Sequence, residues 1–572
     1  MTHEPDVLVV GAGGDGPALS WRLGQLGLDV LILEAGPWHG NEQWPRPHER
    51  PGGRQSGDPD DLSGDLMDEQ FTRLTNDTNN SNTGVLRFGP ADRSRGPWES
   101  DTGGELTVNQ VAGVGGTTLH YYANHPRATV PSVNDSGDWP IDYEELVPYY
   151  QLVEDTFAFG PGATTTKEVA FYKMAAGAGF DLLDGLNLTA DVLEDGGYRP
   201  TPNLYAEPDP KLADEDYDGP FTYPEVEGDV LANDAYKGGP SPEGAPVREK
   251  ARKSSNVTWV PAALDTGNVT IRPNTFVTDV RTSGGVVQGV DYRDTWSGQT
   301  GSIDAEVVVL AAGSIQTPRL WLNADLPAND WVGRGMTHHW FDAVHGIFDP
   351  GRLEALVGKR TLEPQKGQPW AARIELADGV LGLVGGNAPG VHATLLGTSA
   401  AGLAADNDAS EKPWDTHGQL AGQQLKDAMS RYKQTMTMLI SIDDEPQQTN
   451  GVSLSTEADE NGEKAKLEWT PSKADYVKRE TLAATAARIF RGAGAEWVHR
   501  SDMVPYLIHI HGTMAMGKAV DAACESFDVD GLFVGDHSVI PNAMGGQNPT
   551  HTGQSLAIRT AEKIHERHFA TR

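Results

Sequence analysis

The sequence predicts an α/β fold in which a parallel sheet draws its strands from distant parts of the chain, joined to an α+β domain built on a sheet of its own. Three observations carry that expectation. At the N-terminus a β-branched run, a glycine turn and a helix pattern follow one another directly. Strand signals for the rest of such a sheet return only after residue 265, and a last strand and helix follow residue 530. The long stretch 331–499 stands apart from these blocks and is free to form the second domain. A chain of 572 residues, 38% hydrophobic and with 66 glycines, has the composition of a packed globular protein and not of a disordered one.

The elements follow in order. Asp6–Val10 reads as a short buried strand, and Gly11, Gly13 and Gly16 punctuate the turn that leads into Pro17–Leu23, a helix. A second strand, Asp29–Glu34, ends in a carboxylate 18 positions after Gly16. Together these make a βαβ unit of Rossmann type. Its glycines permit a tight turn and close backbone approach, its helix N-terminus suits a pyrophosphate, and Glu34 suits the hydroxyls of an adenosine ribose. Residues 38–108 are polar and rich in Pro, Asp, Asn and Gly, which reads as a long surface excursion. Pattern returns at Val111–His120 and in a helix over 143–157; residues 160–245 are again irregular and acidic. Strand signals resume at Val269–Arg272, Phe276–Arg281, Val286–Tyr292 and Glu306–Gly313. A helix is predicted over Ala483–Gly492, a strand over Gly531–Asp536 and a helix over Gln554–Ile564, with no tandem repeat.

The order of these parts bears on the cofactor. A nicotinamide-binding domain is usually completed in one continuous stretch, whereas here the pattern is interrupted and finished at the end of the chain. Asp536, a carboxylate at a strand end beside a helix N-terminus, suits the ribityl hydroxyls of a flavin, so FAD is the expected dinucleotide.

At this point the residues resemble the glucose-methanol-choline (GMC) family of flavoprotein oxidoreductases. The resemblance rests on separated blocks: the Gly11–Gly16 turn with Glu34, Gly115–Thr118, Trp139–Tyr150, Gly313–Pro318, His509–Gly517, Asp536 and Asn548–Thr550. The Asn-Pro-Thr ending and His120 are most similar to the sugar-oxidising branch that includes pyranose oxidase and the fructose and gluconate dehydrogenases. Departures are Gly113, where many members carry a basic or amide residue, and the stretch after Leu320. The resemblance implies a discontinuous FAD-binding domain from residues 1–160, 245–330 and 500–572, and a substrate-binding domain from 161–244 and 331–499. It implies cofactor contacts at Gly11, Gly13, Gly16, Glu34, Gly115, Gly116, Thr117, His120, Val277, Asp536, Pro549 and Thr550.

Alcohol oxidation on a flavin requires a base for the hydroxyl proton and a donor that steadies the developing alkoxide. The resemblance assigns His509, four residues before Thr513, as general base and Asn548 as its hydrogen-bonding partner. Against this stands an ordinary pair, His509 and His511 alternating on a strand with at most one ring inward; His511 is read in that way. An HxH pair also suits zinc, with His551 or the pair His338 and His339 completing the ligands. An inert flavin-binding relative would share the fold. His120 matches the position of a covalent flavin link in pyranose oxidase, although a histidine that only packs against the flavin is favoured. The expected substrate is an alcohol, most readily a sugar or polyol, and oxygen or a quinone or dye is the expected electron acceptor.

Composition narrows the setting. With 81 acidic against 45 basic residues the formal charge is -36, which disfavours nucleic acid and anionic membranes as partners and suits concentrated salt. No apolar run approaches the length of a membrane span. The N-terminus carries no secretory pattern and Cys524 is the single cysteine, so a cytoplasmic setting is expected.

Overall fold

The computed structural model describes residues 4–36, 38, 100–101, 106–108, 110, 112–121, 123–157, 160–161, 165–180, 202–203, 254–295, 297–364, 370, 372–384, 389–397, 402–406, 411–459 and 461–570. Most of the expected surface excursions over 38–108 and 160–245 lie outside the described residues.

A five-stranded parallel sheet runs in the order Leu532–Val534, Val307–Leu310, Val7–Val10, Val30–Leu33, Val269–Arg272. The two central strands, VLVV and VVVL, are buried along their whole length. Continuous β-branched runs are what a parallel sheet covered on both faces requires. The helix Gly16–Gln25 packs against Thr550–Ile564 and Trp259–Asp265, with the Trp21 and Trp259 rings 5.2 Å apart. A three-stranded antiparallel sheet, Thr275–Ser283, Val286–Asp294 and Thr300–Asp304, extends from this layer.

The middle of the chain builds a seven-stranded sheet ordered Arg373–Leu376, Gly379–Leu383, Thr435–Ile442, Asp342–Ile347, Trp497–Arg500, Thr416–His417, Ala405–Asp406. Its last major strand ends at Arg500, one residue past the expected boundary at 499. Helix Lys473–Gly492 lies across it, burying Leu482, Ala486 and Phe490 against Val344, Met438 and Val498. The helix comes so close at Gly346 that a Cβ there would meet the Phe490 ring at 2.6 Å. This helix begins ten residues before the predicted Ala483; its first half, with Lys473, Asp475, Lys478, Arg479 and Glu480, carries no apolar periodicity to mark it. Its start is instead written in a capping box, in which Ser472 Oγ accepts from Asp475 N at 3.0 Å and Asp475 Oδ2 accepts from Ser472 N at 2.7 Å.

A buried ion pair fastens the helix that follows strand Val307–Leu310 to a hairpin of a separate small sheet. Arg319, on helix Gly313–Asn323, meets Asp459 of the hairpin Gly451–Asp459 and Gly462–Glu468 at 2.9 Å. Among the described residues no helix is long and apolar enough to cross a membrane.

Candidate active site

One elongated cavity of ≈ 490 Å³ runs between the layers, within the range of roughly 300–1,000 Å³ usual for ligand sites. One end is the glycine turn. Gly11 has φ +114° and a Cβ there would strike Ala311 O at 2.3 Å, while a Cβ on Gly16 would strike Gly11 O at 2.2 Å. These two glycines let the helix start against the neighbouring strand. Gly13 differs: a Cβ there would meet nothing nearer than Gly116 Cα at 4.0 Å. Its missing side chain leaves room in the cavity and relieves no internal contact.

Glu34 lines the same end, but its carboxylate is already engaged by the backbone. Oε2 accepts from Ala12 N at 2.8 Å, and Oε1 accepts from Gly36 N at 2.8 Å and Gly113 N at 3.0 Å. Burial raises its pKa and these three donors oppose the rise. Glu34 therefore fastens the glycine turn to the Gly113 loop, with lone-pair capacity left over for a ribose. Asp536 behaves likewise. Its Oδ2 accepts from Gly313 N at 2.9 Å and Thr317 Oγ1 at 2.6 Å, and its Oδ1 from Ser538 N at 2.8 Å. Asp15, inside the turn, forms an ion pair with His537; burial raises the pKa of Asp15, and Asp15 raises that of His537 against the effect of burial. Neither residue belongs to the spacing of the glycine motif, so no sequence signal marks this pair.

Gly116, Thr117, Val277, Pro549 and Thr550 also line the cavity. Gly16 and Gly115 act behind its wall; Gly115 N donates to Ala12 O at 2.7 Å. His120 closes the 3-10 helix Gly116–His120, and its side chain lies outside the described residues.

At the other end stand His509 and Asn548, with Asn548 Nδ2 donating to His509 Nε2 at 3.1 Å. The segment carrying His509 is irregular, so strand alternation does not place the two histidines. Ser314 Oγ donates to Ile510 O at 2.7 Å, Thr513 Oγ1 donates to Ser314 O at 2.7 Å, and Thr337 bridges His511. His511 is buried, not turned outward, with its Nδ1 2.5 Å from His509 O. Burial, then His511 and His537, pull the pKa of His509 down to about 3, so the ring is neutral. Phe341, Trp370 and Met503 form an apolar wall beside it, the Phe341 and His509 rings being 5.1 Å apart. Phe341 and Trp370 come from the middle stretch 331–499, where no motif marks them, and Met503 follows just after it.

The zinc alternative loses its ligands. His551 faces the carbonyls of His125 and Tyr150 at 3.0 and 3.3 Å, and the His338 ring packs on Trp469 at 4.3 Å. Among the described residues, the one cluster spaced for a metal ion is Glu525, Asp530 and His568, near the C-terminus.

Taking a hydride from a carbinol needs an acceptor and a base in one enclosed space, and here a neutral imidazole shares a cavity with a glycine turn and helix start suited to a dinucleotide. That combination defines the class of dinucleotide-dependent alcohol oxidoreductases. Family comparison settles which: residues 227–341 match the N-terminal and residues 446–557 the C-terminal model of GMC oxidoreductase, and the chain belongs to the GMC oxidoreductases. It is similar to 2-methyl-1,2-propanediol dehydrogenase of Mycolicibacterium austroafricanum, 25% identical over 99% of this chain and 96% of the relative. It is 24% identical to 6'''-hydroxyparomomycin C oxidase of Streptomyces lividus over 98% of this chain and 91% of that one. Gluconate 2-dehydrogenase flavoprotein of Pantoea cypripedii is 24% identical over 99% and 94%. The chain is an FAD-dependent enzyme that oxidises an alcohol group.

Proposed function

We propose that this enzyme oxidises a hydroxyl group of a sugar or other polyol, with His509 as general base and Asn548 as the donor beside it. The observation that carries the proposal is the His509–Asn548 pair at 3.1 Å on the wall of the cavity. The relatives named for gluconate, 6'''-hydroxyparomomycin C and 2-methyl-1,2-propanediol support a substrate with several hydroxyl groups.

The chain's own shape fits FAD. The space left by Gly13 opens into the cavity, as close approach by a pyrophosphate requires. Gly11, Gly13, Gly116 and the start of helix Gly16–Gln25 would hold the pyrophosphate in a Rossmann-type domain, with Glu34 toward the adenosine and Asp536 toward the ribityl chain. When bound, FAD supplies the hydride acceptor. His509 Nε2 takes the hydroxyl proton, Asn548 Nδ2 hydrogen-bonds the alcohol oxygen as charge develops on it, and Phe341, Trp370 and Met503 exclude water from the reacting centre. The domain division at residues 161–244 and 331–499 belongs to the same proposal, the seven-stranded sheet forming the substrate side.

Salt adaptation and a cytoplasmic setting complete the proposal, supported by the formal charge of -36 and the single cysteine, Cys524. The test is anaerobic flavin bleaching by a panel of glucose, gluconate, 2-methyl-1,2-propanediol and simple aliphatic and aromatic alcohols. Bleaching by the polyols is expected; bleaching by the simple alcohols alone would overturn the substrate class.

A further inference from the structure

Behind the cavity wall a third histidine meets the first. His339 Nε2 lies 2.8 Å from the carbonyl oxygen of Ala543, and His339 Nδ1 lies 3.0 Å from His509 Nδ1. A carbonyl oxygen only accepts, so the His339 proton sits on Nε2. Burial, then His509 and His511, hold the pKa of His339 well below the usual histidine range, so its Nδ1 bears a lone pair. Two lone pairs at 3.0 Å would repel; the contact is a hydrogen bond only if His509 carries its proton on Nδ1. The lone pair of His509 is then on Nε2, the atom beside Asn548. A free imidazole favours the opposite tautomer, which would aim the lone pair at His339 and away from the cavity.

We propose that His339 is a positioning residue that fixes His509 in the Nδ1–H tautomer, and that Asp444 holds His339 in place to do so. The proposal rests on His509 being the proton acceptor. The backbone supports the second half. His339 adopts φ +58°, a left-handed conformation that is strained for a residue with a Cβ. No helix or strand dictates it. Asp444, 2% exposed, instead clamps two successive amides, accepting from His338 N at 3.0 Å and His339 N at 2.8 Å. A backbone held in this way presents the His339 ring to Ala543 on one side and His509 on the other.

The test uses FAD-loaded full-length enzyme. His339→Phe keeps a ring of similar size and removes the acceptor. In anaerobic rapid mixing with the fastest-bleaching alcohol of the panel, it should slow flavin reduction by at least about tenfold and by up to about 10⁴-fold, the cost of a base held wholly in the wrong tautomer. The half-saturating alcohol concentration should move less than about threefold. Asp444→Asn, which turns one acceptor toward an amide as a donor, should give a smaller loss in the same direction. Nitrogen NMR of histidine-labelled wild-type enzyme, with His509→Gln used for assignment, reads the tautomer without any turnover. Nδ1–H at His509 is expected in the wild type, and in His339→Phe, where only Asn548 still favours that form, a second Nε2–H signal should appear. An Nε2–H His509 in the wild type, or an unchanged reduction rate in folded, yellow His339→Phe, overturns the proposal; if His339→Phe does not fold, the wild-type spectrum decides. Full-speed reduction in His509→Ala would instead overturn the base, and the measured tautomer would then stand as a property of the fold alone.

Discussion

At the glycine end of the cavity the contacts are made by backbone: Glu34 and Asp536 are each engaged by main-chain N–H groups, and the turn is shaped by absent side chains. At the histidine end they are made by side chains meeting across the fold, His339 to His509 to Asn548. The first arrangement is fixed by main-chain contacts to two carboxylates and by the Asp15–His537 ion pair. The second works only with each proton on a specified nitrogen. The chain thus combines a turn shaped by main-chain contacts with a cluster of side chains that meet nitrogen to nitrogen.

The sharpest way to separate the two ends is Gly13→Val. The added side chain has room inside the protein, so the fold should survive, while FAD occupancy and with it all activity should be lost; flavin absorbance and thermal unfolding of the same sample check both. Full retention of flavin would show that the space beside Gly13 is not where the cofactor lies. The converse variant, His509→Ala, should keep FAD and lower the flavin reduction rate by about two to four orders of magnitude, the size of a general-base contribution. Asn548→Ala should cost less, about tenfold to a hundredfold, again with FAD retained; both are read by rapid mixing.

The pH dependence of stability probes the histidine end as a unit. His338 and His509 have folded pKa values near 3 and His511 near 4, against about 6.5 unfolded. Below pH 6.5 the unfolded chain therefore binds more protons, and stability falls as pH drops toward 3. Burial pushes Asp444 the other way, up to about 8, so its contribution falls as pH rises from about 4 to 8. Urea midpoints should peak at about pH 6.5 and fall more steeply on the acid side; a flat acid limb would mean that the rings are not neutral in the fold. The smallest effect concerns neither end. With -36 formal charges, the unfolding temperature should rise between low and molar salt as the Debye length shrinks to about 3 Å, and an unchanged value would remove the case for salt adaptation.

Local pattern was sufficient wherever function is carried by consecutive residues. Val7–Val10, the glycine turn and helix Gly16–Gln25 are adjacent in sequence, so strand burial, turn and helix start can be read from one short window. The helix over Lys473–Gly492 was half legible, because apolar periodicity marks only the part that touches the sheet, and the polar start is visible only as Ser472 and Asp475. From the sequence alone His339 suggests only a zinc ligand. Nothing in its neighbourhood in the sequence says that it meets His509, 170 positions away.

By itself the sequence determined the class of fold, the dinucleotide cofactor and the acidic character of the chain, since each depends on composition or on contiguous residue types. Only the tertiary structure decided that Glu34 and Asp536 are fastened by backbone amides, that His551 is turned away from the HxH pair, and which nitrogen of His509 faces Asn548. Those facts depend on the directions of single hydrogen bonds between segments far apart in the chain, and packing of the two layers is what sets those directions.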